Sequence, residues 1–72
     1  MRIYVEESSY IDNNLKHPIT TYTSDIVPRK GELLFFVHYG SYMVTDITYR
    51  ISDDTENNRL MWIELKVVKV SD

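Results

Sequence analysis

The sequence predicts an all-β protein with a single domain over residues 1–72, built as a five-stranded, bent antiparallel sheet or a small barrel. β-Branched and aromatic residues, which favour strands, dominate the chain: it has six tyrosines, two phenylalanines and one tryptophan, and alanine is absent. No segment repeats its apolar residues with the three-to-four residue period of a helix. The stretch 33–37 is apolar at every position, so a strand there carries apolar side chains on both faces.

The first two predicted strands cover residues 2–6 and 19–26. In the first strand Ile3 and Val5 share one face, because successive side chains of a strand point to opposite sides. The polar segment 8–17 between the two strands is predicted to be a loop. The threonines of the second strand indicate an edge strand or a solvated face.

The third and fourth predicted strands, 33–39 and 42–51, form a hairpin. The loop at 40–41 has glycine first, which fits a two-residue type II′ turn. Such a turn would set Tyr39 opposite Tyr42 and, further from the loop, pair the two valines at 37 and 44.

A turn is predicted before this hairpin and a bend within it. The turn at 28–31 begins with proline, which fixes φ, and ends with glycine, which accepts a positive φ. A β-bulge near 45–46 would turn Val44 and Ile47 to the same side and leave Asp46 in solvent.

The fifth predicted strand, 59–70, shows the cleanest alternation in the chain and follows a polar, acidic loop at 52–58. One face carries Met61, Ile63, Leu65 and Val67, and the other carries Trp62, Glu64 and Lys66. The two adjacent valines at 67–68 interrupt the alternation and predict a second bulge.

A chain of 72 residues has little core with which to stabilise itself. A domain of this size buries about 60% of the surface that its unfolded chain exposes. It has no cysteine, so disulfides and thiolate metal sites are excluded, and His17 and His38 share no ligand spacing. No cofactor is expected, and self-association into a homo-oligomer is the remaining way to stabilise so small a core. The apolar strand faces could be covered by closure into a barrel, by an oligomer or by a partner.

Charge and hydropathy narrow the possible partners and the compartment. The net charge of −3 comes with scattered acidic residues, which argues against general nucleic-acid binding. No apolar run reaches the roughly 18 residues of a membrane span. The amino-terminal segment becomes acidic at Glu6 and Glu7, unlike a signal peptide, so we expect a cytoplasmic protein.

The sequence offers no convincing catalytic or calcium-binding group. Ser41 follows His38 by three residues, but no acidic residue nearby would orient the histidine. The acidic residues at 53, 54 and 56 lack the ligand offsets and the central glycine of a calcium loop. We therefore expect a protein that is not an enzyme.

Three segments together carry a resemblance to SH3-like small β-barrels. They are the turn at 28–32, the Tyr42-Met43-Val44-Thr45-Asp46-Ile47 stretch and the long strand at 62–70. The resemblance covers about residues 27–70 and implies a small barrel. In its short, cysteine-free and tyrosine-rich style the chain is also similar to uncharacterised small proteins of bacteria and their phages, which implies a binder or inhibitor more than an enzyme.

The leading functional hypothesis is a non-enzymatic binding protein that acts through protein–protein contact, for instance a phage or mobile-element inhibitor of a host system. Exposed aromatic residues are enriched at such interfaces. The predicted contact surface centres on Phe36, His38, Tyr39, Tyr42 and Trp62.

The alternative is an oligomer that sequesters a nucleotide-like anion between its subunits. Tyrosine rings would stack on the base. The phosphate would be held by basic side chains drawn from Arg29, Lys30, Arg50 and Arg59.

Overall fold

The computed structural model describes residues 1–8, 17–54, 56 and 58–71. Residues 9–16 of the predicted loop at 8–17, and residues 55 and 57 of the acidic loop at 52–58, thus lie outside the described residues. The described chain contains five strands and no helix, which confirms the predicted all-β class. The strands are β1 (Arg2–Glu7), β2 (His17–Thr23), β3 (Leu33–Phe36), β4 (Gly40–Ser52) and β5 (Arg59–Ser71).

The five strands form one sheet in the order β2-β1-β5-β4-β3. The sheet curls through 223° into a half-barrel, so it is compatible with a small barrel-like fold but leaves more than a third of a full turn open. Three neighbouring pairs are antiparallel, as predicted, whereas β1 and β5 are parallel. The parallel pair arises because the chain crosses from β2 at one edge to β3 at the other edge and then returns through β4 to place β5 beside β1.

The inner face of the half-barrel holds the hydrophobic core. Its members are at most 5% exposed: Ile3, Val5, Tyr42, Val44, Ile63, Leu65 and Val67. The predicted inward face of β5 is thus confirmed at Ile63, Leu65 and Val67, whereas Met61 is exposed. No polar or charged residue of the described chain is buried, so apolar contact rather than a polar network holds this layer together.

The predicted bulge in β4 is confirmed, because the register with β5 shifts between Val44 and Asp46. Val44 is buried, Ile47 packs against the core and Asp46 is exposed, so the extra residue keeps both apolar side chains inside. The predicted bulge at 67–68 was wrong: the extra residues on β5 are Met61 and Val70, on either side of that position.

The predicted hairpin register was also wrong. β3 ends at Phe36, and the turn is made by residues 37–39, closed by the Tyr39 N–H, which donates to the Phe36 carbonyl oxygen at 3.0 Å. Gly40 has φ of 103° and follows this turn instead of standing at its centre. Positive φ is easy for glycine at either place, so glycine alone did not fix the position of the turn. Phe36 therefore pairs with Gly40, and Tyr39 does not face Tyr42.

The turn before β3 forms as predicted. The Glu32 N–H donates to the Arg29 carbonyl oxygen at 3.1 Å, and Gly31 has φ of 91°, the conformation that glycine was expected to supply. The Gly31 N–H donates to the Val44 carbonyl oxygen at 2.8 Å, which ties this turn to β4.

Candidate functional site

Strand β3 is an outer edge of the sheet with apolar side chains on both faces. Leu34 and Phe36 point inward and pack against the core. Leu33 and Phe35 point outward and are 65% and 72% exposed. The expected double-sided apolar strand is therefore present, and its outer side lies in solvent.

The backbone of β3 is paired on one side only, because β4 is its single neighbour in the sheet. The Val44 N–H donates to the Glu32 carbonyl oxygen at 3.0 Å, so the polar groups of residue 32 face β4. Alternation along an antiparallel strand then turns the N–H and C=O groups of Leu33 and Phe35 away from β4. These groups face the open edge, ready to bond to another strand.

Met43 extends the exposed apolar area from β3 onto β4. It pairs with Leu33 across the two strands, on the outer face, and remains exposed. Cross-strand neighbours of this kind have Cβ atoms about 5 Å apart, so their side chains form one continuous patch. We call this patch, formed by Leu33, Phe35 and Met43 together with the open backbone edge of β3, the β3 surface.

A groove runs along the seam where the two edges of the curled sheet face each other. Across it, the ring centroids of Tyr22 on β2 and Phe36 on β3 are 6.5 Å apart, and Phe36 is 6.0 Å from the ring of Tyr42. Thr20, Tyr22, Leu34, Phe35 and Phe36 line an open groove of about 350 Å³. Tyr22 is half-buried there, and this burial raises the pKa of its hydroxyl.

The aromatic contact residues predicted from the sequence are not brought together on one surface. Tyr42 is 5% exposed and belongs to the core, and Phe36 is half-buried in the groove. His38 and Tyr39 are exposed on the turn at the end of β3. Trp62 lies on the outer face of β5, opposite Arg50 on β4.

The outer face around Trp62 is a set of mutually satisfied polar and aromatic contacts. The Trp62 Nε1–H donates to Glu64 Oε2 at 3.0 Å, and its ring meets Tyr4 edge to face with the centroids 6.1 Å apart. Arg50 donates two hydrogen bonds of 3.0 Å to the same carboxylate, and this partner raises the pKa of the guanidinium. Trp62 is therefore held in place by its own neighbours.

The predicted basic residues lie in separate parts of the fold. Arg29 and Lys30 are exposed on the turn before β3. Arg59 is exposed at the start of β5 opposite Ser52, and Arg50 is already paired with a carboxylate. The phosphate clamp predicted for these cations is thus divided between two regions of one chain, and its assembly in an oligomer stays a prediction.

The described part of the chain contains neither a cluster of metal ligands nor a helix that could cross a membrane. Within residues 1–8, 17–54, 56 and 58–71, no group of three histidine, cysteine, aspartate or glutamate residues could hold a metal ion. In the same residues no helix has the length and apolar character needed to cross a membrane.

Sequence reasoning missed the outward residues of β3, although their signal was present. Leu33 and Phe35 lie two positions apart in the all-apolar stretch and therefore share a face. The predicted contact surface instead included Phe36, on the opposite face. Which of the two faces joins the core depends on how the strand pairs, and a stretch without alternation does not show that.

No protein-family model, curated protein or solved structure matches this chain. The candidate site therefore depends on the geometry of the fold alone.

Proposed function

We propose that this chain is a non-enzymatic binding protein that acts through protein–protein contact, and that the β3 surface receives an extended segment of the partner. The observation that supports this is an unpaired strand edge with exposed Leu33 and Phe35 beside an apolar groove. Addition of a strand to an open sheet edge is a common mode of peptide recognition, in which the backbone supplies affinity and side-chain pockets supply specificity.

Apart from the short length of β3, which has four residues, the β3 surface lacks the features that usually protect an edge strand. Edge strands commonly carry lysine, proline or an inward-pointing charge that prevents pairing with another chain. Residues 33–37 contain none of these. An added strand would cover Leu33 and Phe35 and satisfy their outward N–H and C=O groups. The burial of apolar surface would stabilise the complex by about 25 cal/mol for each Å² removed from water.

Narrower versions of this proposal use the same surface. A phage or mobile-element inhibitor would occupy a strand-forming segment of a host protein, and an SH3-like relationship would make the chain one more binding module on a small barrel. The expected homo-oligomer and the cytoplasmic location are also kept as predictions.

A displayed library of random linear peptides tests the proposed function. We expect the wild-type chain to enrich peptides with alternating apolar residues. Phe35→Glu should abolish their binding, because it places a charge in the centre of the β3 surface. Tyr49→Glu is the control: this aromatic residue lies on β4 opposite Ile63, is 50% exposed and is away from β3, so its replacement should leave binding unchanged.

Two further readouts complete the experiment. Circular dichroism should show that both variants keep the wild-type strand content. Thermal shift with nucleotides tests the anion-binding alternative, since a ligand at 100 times its Kd stabilises a protein by about 2.7 kcal/mol. Failure to enrich any peptide, or enrichment that Phe35→Glu leaves intact, would refute the assignment of the β3 surface.

A further inference from the structure

We infer that the partner segment runs antiparallel to β3 and carries acidic side chains immediately after its apolar residues, where they meet Arg29 and Lys30. This inference depends on the proposed function, since it specifies the chemistry of the segment that the β3 surface would bind.

The charges around the β3 surface are distributed unevenly. Arg29 and Lys30 are exposed on the turn that leads into β3, and neither side chain forms an ion pair within the described part of the chain. The nearby carboxylate of Glu32 already accepts a hydrogen bond from the Arg29 backbone N–H. The amino-terminal end of β3 therefore carries two exposed cations and a single carboxylate, which is already hydrogen-bonded.

The remainder of the β3 surface is uncharged. Residues 33–37 are all apolar, and the turn that follows contains no acidic residue. Across the seam, residues 18–23 of β2 are also uncharged. A bound segment would thus meet apolar and backbone groups along most of its length and positive charge at one end.

The direction of the segment follows from the general preference of sheets for antiparallel pairing. The outward N–H and C=O groups of Leu33 and Phe35 are two residues apart, and an antiparallel partner would exchange pairs of hydrogen bonds with them. Antiparallel pairing is slightly more stable per residue than parallel pairing, and it is two- to three-fold more common in proteins. The carboxyl-terminal end of an antiparallel segment lies beside the amino-terminal end of β3, next to the two cations.

Each new ion pair would be exposed to solvent, so its contribution should be small and sensitive to salt. Exposed pairs are weak individually, and two of them together should tighten binding about three- to tenfold. At about 1 M salt, where the Debye length falls to about 3 Å, most of that gain should disappear.

Two synthetic peptides of identical composition test the inference. Both contain an apolar core selected from the library; one carries two glutamates after the core and the other carries them before it. Fluorescence anisotropy should show about three- to tenfold tighter binding for the peptide with the carboxyl-terminal glutamates, and high salt should remove the difference.

Charge reversal in the protein provides the second arm. In an Arg29→Glu, Lys30→Glu variant the preference should vanish or invert. An Arg29→Gln, Lys30→Gln variant, which introduces no new repulsion, should bind both peptides equally. Both changes lie on an exposed turn, and circular dichroism will verify the fold.

The possible failures are distinguishable. Equal binding of the two peptides, or tighter binding of the peptide with amino-terminal glutamates, would overturn the inference while leaving the β3 surface in place. Absence of binding by both peptides would overturn the proposed function as well. A dimer in light scattering that Phe35→Glu dissociates would assign the edge to a second copy of this chain and overturn both.

Discussion

The two faces of β3 carry the same residue types in different surroundings. Leu34 and Phe36 lie on the inner face and pack against the core, whereas Leu33 and Phe35 lie on the outer face and are exposed. Hydrophobicity is equal on the two sides, so it does not determine which side is buried. The curl of the sheet does: it brings β2 over the inner face and leaves the outer face uncovered.

Neighbouring residues of β3 therefore have different roles. The inner pair contributes to the free energy of unfolding, because it extends a core whose buried members come from β1, β4 and β5. The outer pair contributes little to folding, because its side chains remain in water. A substitution at one position of this four-residue strand should therefore affect stability, and a substitution at the next should affect binding.

The largest expected difference is between Phe36→Ala and Phe35→Ala in denaturant unfolding. Complete removal of a buried phenylalanine side chain costs about 3–5 kcal/mol, and Phe36 is half-buried, so we expect Phe36→Ala to lower the free energy of unfolding by about 2 kcal/mol. Phe35→Ala should change it by less than about 0.5 kcal/mol. Equal losses for the two variants would show that the outer face is covered in solution.

Hydrogen exchange should show a smaller difference between the same two sets of residues at the level of the backbone. The amide groups of Leu34 and Phe36 face β4, whereas those of Leu33 and Phe35 face the open edge. We expect the amides of Leu34 and Phe36 to exchange at least tenfold more slowly than those of Leu33 and Phe35. A tenfold difference corresponds to a free-energy difference of about 1.4 kcal/mol. Similar protection at all four amides, measured by NMR at micromolar concentration, would mean that another strand pairs with this edge.

The all-β class and most of the core were predictable because they depend on local patterns. Alternation in β5 identified Ile63, Leu65 and Val67. The need to keep Val44 and Ile47 on one side, with Asp46 in solvent, predicted the bulge in β4. Both conclusions need only the two-residue period of a strand and the tendency of a charge to stay in water.

The parallel pairing of β1 with β5 and the exposed face of β3 were not predictable in this way. Both depend on how distant strands are arranged in the sheet, and the relevant segments carry no pattern that distinguishes the alternatives. The position of Gly40 shows the same difficulty on a smaller scale. A glycine indicates a positive φ, but that φ occurs both at the centre of a two-residue turn and at the end of a longer one.

The smallest expected effect concerns the inner side of the seam, where the ring of Tyr22 meets Phe36. Burial raises the pKa of Tyr22 above its ordinary value of 10.0, so the folded chain holds the phenolic proton more tightly than the unfolded chain. This tyrosine contributes no pH dependence to stability below that value. As the pH rises above 10, its phenol ionises first in the unfolded state, and the free energy of unfolding falls. Tyr22→Phe should make that decline shallower in denaturant titrations and leave the dependence between pH 7 and 9 unchanged. An equally steep decline in the variant would show that water reaches the inner side of the seam as freely as the outer face.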